Sequence, residues 1–89
     1  MDRKLLDLLV CPATRQPLSL LDTAGLAALN ATVAGGTLRR VDETAQDAPL
    51  REALVTRDHR LVYRVDDGIP VLLVEEGIPT AQIPDFPKA

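Results

Sequence analysis

The chain carries one cysteine, Cys11, in 89 residues. That removes the two covalent staples on which domains of this size most often rely. An internal disulfide needs a second thiol, and a cysteine-only zinc site needs four. Yet the turn around Cys11 looks half built for a metal. In "LVCPATRQPL" a proline follows the cysteine, and a zinc knuckle would place its second cysteine three residues on, where this chain has Thr14. A chain of this length makes one domain and buries ~60–65% of its unfolded surface. Small domains commonly need a metal, a disulfide or a partner. With the first two restricted, apolar packing has to carry the fold.

Composition excludes several classes of function. The net charge is −3, against the basic face that phosphate binding requires. Arg39-Arg40 is an isolated basic doublet, and Tyr63 and Phe86 are the only aromatics, so base stacking is poorly served. Direct nucleic-acid binding is not expected. "MDRKLLDLLV" mixes charges with its leucines and lacks the apolar core of a signal peptide. No apolar run approaches the ~20 residues of a membrane span. These features, with the single cysteine, predict a cytoplasmic protein with no membrane partner. The apolar fraction of 46% is high for so small a chain, which hints at surface to be covered by another protein.

Hydrophobic periodicity outlines the elements. Asp2 can cap a short helix running through Val10, with Leu5, Leu8 and Leu9 on one face. Pro12 stops it. Leu18, Leu20 and Leu21 start a strand. A second helix, Thr23–Ala34, is capped by Asp22 or Thr23, buries Leu26, Leu29 and Val33, and ends at Gly35-Gly36. "VDETAQDAP" reads as a mobile loop, and Pro49 can open one helical turn, "PLREAL". Ala53–Thr56 and Leu61–Val65 are strands around the polar "RDHR", and Asp66–Gly68 is a turn. Ile69–Val74 is a third apolar run, with Pro70 suited to an edge or a strand start. The Pro-rich stretch 79–89 reads as an extended tail.

Set in order, "LLDLLVCPATRQPL" and "ALVTRDHRLVYRVDDGIPVLL" resemble the small bacterial proteins of the YcaR type. Those are relatives of the subunit (Trm-one-one-two) that activates several eukaryotic and archaeal methyltransferases. The pattern of that family is a leucine-rich helix, Cys-Pro-x-Cys, a later Cys-x-x-Cys, and Asp-Gly-Ile-Pro-x-Leu-Leu. The match covers both ends, about half the chain, and the middle is longer than the pattern. The fold expected is α+β: a degenerate zinc-ribbon-like antiparallel sheet with an N-terminal helix, as the resemblance implies, and an inserted second helix, which the longer middle of this chain adds. Residues 1–78 would form the activator-like domain, with the insertion at about 22–50.

The resemblance also implies four ligand positions, which fall on Cys11, Thr14, Thr56 and His59. Two threonines cannot complete a closed Cys/His tetrahedron, so neither zinc nor any other cofactor is expected. Burying Leu26, Leu29 and Val33 at about 25 cal/mol per Å² contributes several kcal/mol, the scale of a net fold stability. That can replace much of what a metal contributes.

Three functions follow from these features. The first is a non-catalytic accessory protein that docks on a partner, implied by the resemblance to be an S-adenosylmethionine-dependent methyltransferase of the translation machinery. The docking residues would be Gly68, Ile69, Pro70, Val71, Leu72 and Leu73, because a continuously apolar strand needs cover on both faces and strand addition is one recognised docking mode. The second is a homodimer whose apolar edges pair with each other, with no methyltransferase partner. The third, an enzyme using Cys11 and His59, lacks an orienting residue and an oxyanion loop. The acidic residues Asp66, Asp67, Glu75 and Glu76 read as solvated turn charges. No catalytic residue is assigned.

Overall fold

The structure, a computed structural model, describes residues 9–84 and 86. Among these residues one helix combines with a curled antiparallel sheet, an α+β arrangement. The helix α1 (Thr23–Ala34) has determinants that are all local. The Asp22 side chain accepts a hydrogen bond from the Gly25 N–H at 2.8 Å, satisfying one of the free N-terminal donors. At the other end Gly36 takes a left-handed φ of 75°, which glycine adopts without penalty.

Five short strands follow the order β1 (Leu18–Leu20), β2 (Ala53–Thr56), β3 (Leu61–Asp66), β4 (Ile69–Pro70) and β5 (Ile78–Pro79). β1 pairs with β2 and β2 with β3. The far edge of β3 is shared: β4 takes Val65 and Asp66, and β5 takes Leu61 and Val62. All pairings are antiparallel.

Side chains alternate across a strand, and here the alternation divides the core in two. On one face Ala53, Val55, Val62 and Ile78 pack against Leu29 and Val33 of α1 and against Leu38, Leu50 and Ile83. On the other, Leu18, Leu54, Tyr63 and Val65 pack with Cys11, flanked by Leu9, Leu61 and Leu72.

Several expectations change. The helix expected through Val10 falls mainly on residues outside those described; at Val10 the chain is extended and bridges Pro17. "PLREAL" forms no helical turn. The Asn30 side chain binds the Leu50 backbone at both ends instead, donating to its C=O (2.9 Å) and accepting from its N–H (2.8 Å). The loop at 41–49 is held too. Val41 and Asp42 donate to the backbone of Gly77 and Glu75, and Gln46 is buried. The stretch 79–83, expected in an extended tail, continues β5 into a 3-10 turn at Thr80–Gln82 and places Ile83 in the core. Gln82 clips the Arg39 backbone as Asn30 clips Leu50.

The apolar run Ile69–Val74 is a strand only as far as Pro70; a 3-10 turn occupies Val74–Glu76. The reason is competition. Pro70 has no N–H to extend the ladder, and β5 returns to occupy the rest of β3's edge.

Candidate partner-binding surface and the turns beside it

The four ligand positions sit in two turns. In the first, the Cys11 N–H donates to the Gln16 C=O (2.9 Å) and the Arg15 N–H to the Cys11 C=O (2.8 Å). In the second, the β2–β3 connection, the His59 N–H donates to the Thr56 C=O (2.8 Å). Cys11 and Thr56 are fully buried, Thr14 is exposed and His59 half-buried. The Cys11 sulfur contacts the Tyr63 hydroxyl at 3.0 Å. Burial pushes the thiol's pKa up, but hydrogen bonds from the Thr14 and Tyr63 side chains and the Thr14 and Ala13 backbone outweigh it and leave the pKa below its ordinary value. The Tyr63 phenol is driven far above its ordinary range, by burial first and then by Cys11. The His59 ring meets Phe86 edge-on, at 6.3 Å between centroids.

These groups do not fit a metal. A structural zinc site wants deprotonated sulfur or neutral imidazole nitrogen at all four positions. Thr14 and Thr56 offer hydroxyls, and that of Thr56 is already occupied: it donates to Asp58 Oδ1 (2.7 Å) and accepts from the N–H groups of Arg60 and Leu61 (3.2 Å each). Among the described residues no group of three or more His, Cys, Asp or Glu side chains is placed to hold an ion.

Two residues that sequence reasoning missed join the turns. Gln16 Nε2 donates to Asp58 Oδ2 at 2.9 Å, and the Asp58 N–H donates back to Gln16 Oε1 at 3.0 Å. The Gln16, Thr56 and Arg60 donors hold the Asp58 carboxyl down to about 2. Asp and Thr side chains in turns commonly accept from backbone N–H groups a few residues on, as Asp58 does from Arg60 and Thr56 from Arg60 and Leu61, so these two carried a signal; Gln16 carried none.

The expected docking residues lie on an arm leading out of β3. Asp67 and Gly68 both have positive φ (51° and 78°), as a two-residue hairpin turn demands. Ile69 is 68% exposed and Leu73 49%, with Val74 close behind at 40%. Pro70 and Val71 are half-buried, and Leu72 turns inward to the Tyr63 cluster. Arg64 pins both ends of the arm, reaching Asp66 at 2.9 Å and Glu76 at 2.8 Å. The backbone bonds of Val41 and Asp42 bring a further exposed valine, Val41, alongside the segment that follows Val74. Among the described residues no helix is long and apolar enough to cross a membrane.

Comparison with known proteins places the chain. A family model described as Trm112p-like protein matches residues 2–68. A UPF0434 protein of Rhodopseudomonas palustris (strain TIE-1) is 34% identical over 76 residues, 85% of this chain and 75% of that protein. A UPF0434 protein of Delftia acidovorans is 41% identical over 77 residues, 86% of this chain and 83% of that one. A protein of Verminephrobacter eiseniae named tetraacyldisaccharide 4'-kinase is 40% identical over 79 residues, 89% of this chain but 12% of its own length. The solution NMR structure of XF2673 from Xylella fastidiosa matches with a TM-score of 0.80 and 56% identity, covering 100% of this chain and 92% of that one. The family match spans most of the chain, and the UPF0434 relatives are covered over most of their own length: the chain belongs to the Trm112p-like family.

Proposed function

We propose that this protein is a non-catalytic accessory module that docks on a larger enzyme and stabilises or activates it. Family membership supports an accessory role. The observation that carries the docking reading is the arm bearing Ile69, Leu73 and Val74, three exposed apolar side chains within six residues. By analogy with the family's activators, the partner is an S-adenosylmethionine-dependent methyltransferase of the translation machinery. Docking proceeds by apolar side chains more than by strand addition, because β4 is two residues long and Pro70 has no N–H to offer an incoming strand.

The test is purification of the tagged protein from native lysate beside an Ile69→Asp/Leu73→Asp variant. A methyltransferase recovered with the parent and lost with the variant supports the reading. Its absence from both, with the protein folded, overturns it.

One observation favours a second partner. The relative named tetraacyldisaccharide 4'-kinase carries a segment like this chain within a much longer protein. A domain joined covalently to an enzyme in one organism can serve the same enzyme as a separate chain in another. Under this reading the same purification recovers that kinase instead.

A further inference from the structure

Residues 11–16 and 56–61 form two turns distant in sequence, and each contains a non-glycine residue in the left-handed region, Arg15 (φ 60°) and His59 (φ 59°). Such conformations persist where the surroundings over-determine them. In a metal ribbon the ion does this by bonding both turns at once. Here the donor set does not fit an ion, so something else must hold the turns together.

Among the described residues two hydrogen bonds cross between them, both made by Gln16 to Asp58, and further bonds within the second turn hold Asp58 in place. Gln16 uses both ends of its carboxamide on Asp58, donating to Oδ2 and accepting from the backbone N–H. The other carboxylate oxygen, Oδ1, accepts from the Thr56 hydroxyl (2.7 Å) and the Arg60 N–H (3.0 Å). Thr56 in turn gathers the N–H groups of Arg60 and Leu61. Each contact pairs a donor with an acceptor, and three of them involve a charged carboxylate, which strengthens a hydrogen bond about twofold over a neutral pair.

We infer that Gln16, Asp58 and Thr56 form a latch that joins the two turns in place of a metal ion, so that this member of the family folds without one. The inference is independent of the identity of the partner. The latch has a polarity that can be reversed. Gln16→Glu sets carboxylate against carboxylate, and Asp58→Asn leaves an amide where a carboxylate accepted. Together the two changes swap the roles: a carboxylate at position 16 accepts both from the backbone N–H and from the new amide at position 58.

The experiment uses the full chain. Elemental analysis is expected to find far less than one metal ion per molecule, and EDTA is expected to leave the melting temperature unchanged. Gln16→Glu is expected to lower it by at least about 4 °C, the shift that ~1 kcal/mol produces in a domain of this size, and the double variant to recover most of that loss. One tightly bound zinc per chain, a melt lowered by EDTA, or a double variant as unstable as the sum of the single ones would overturn the latch. If Gln16→Glu does not fold, Gln16→Met replaces it. Adding Asp58→Asn to that variant must then cost less than it costs the parent, because coupled residues are non-additive; full additivity sinks the inference.

Discussion

The Cys11 sulfur lies 3.0 Å from the Tyr63 hydroxyl oxygen, in a buried contact between residues 52 positions apart. It fastens the first turn to the middle of the sheet and leaves the thiol inside the core. Both groups need each other there, since an unpaired polar atom in the interior costs about 1–3 kcal/mol.

Removing the hydroxyl tests this contact. Because a thiol is a weak hydrogen-bonding group, Tyr63→Phe is expected to cost about 1 kcal/mol, the low end of that range. It should also raise the pKa of Cys11, because the Tyr63 hydrogen bond is one of those lowering it. A urea midpoint that falls at constant m-value checks the first expectation, and the ultraviolet absorbance of the thiolate, followed against pH in the folded protein, checks the second.

Acid should weaken the molecule through Asp58. Its carboxyl sits at about 2 when folded, against an ordinary 3.8. A depressed folded pKa contributes stability that is complete above the unfolded value and lost as the pH falls through the folded one. The wild type should therefore lose stability between pH 4 and 2, and Asp58→Asn should show a flatter profile across that window. Parallel melting curves for the two proteins would contradict this.

Leu29 anchors α1 in the core and is fully buried. Leu29→Ala is expected to cost about 2–5 kcal/mol. Set against a total of about 5–15 kcal/mol for a domain, that is a large share. Urea denaturation reads it directly.

Gly77 lies against the Tyr63 ring for want of space. A Cβ there would lie 3.2 Å from Tyr63 Cε1 and 3.3 Å from the Val74 C=O. Tyr63 is fully buried and cannot retreat. Overpacking costs about 1–3 kcal/mol, more than the ~0.4–1 kcal/mol gained by restricting the unfolded chain. Gly77→Ala should melt lower than the wild type.

Ile69 should behave in the opposite way. Its side chain is 68% exposed, so Ile69→Asp is expected to change stability by less than about 0.5 kcal/mol. Partner capture should still fall at least about tenfold, the range of a hydrophobic anchor lost from an interface. Calorimetry and the purification described above separate the two effects.

The parts legible in the sequence were those with local causes. Asp22, the apolar stripe of α1 and Gly35-Gly36 bound the helix without help from elsewhere. Asp67-Gly68 marked its turn in the same way, and the alternation of β2 and β3 was readable. What escaped depended on distant partners. β5 is two residues, Ile78–Pro79, and becomes a strand only because β3 has an edge to offer. The same competition shortened the apolar run at Ile69–Val74, whose composition alone reads as a longer strand. Gln16 is one polar residue in a turn, and its role rests on Asp58, 42 positions away. Tyr63 read as an ordinary alternating strand residue, although it closes the contact with Cys11.

The shared edge of β3 bears on how such a protein survives at high concentration. Unpaired strand edges are templates on which further chains can add. Here β4 and β5 cover that flank between them, and the Val10–Pro17 bridge closes one end of β1. Among the described residues the native sheet therefore offers little template for a growing aggregate, despite exposed apolar side chains nearby. Precipitation should draw on opened molecules in which β5 has detached, and its rate should follow the population of that open form.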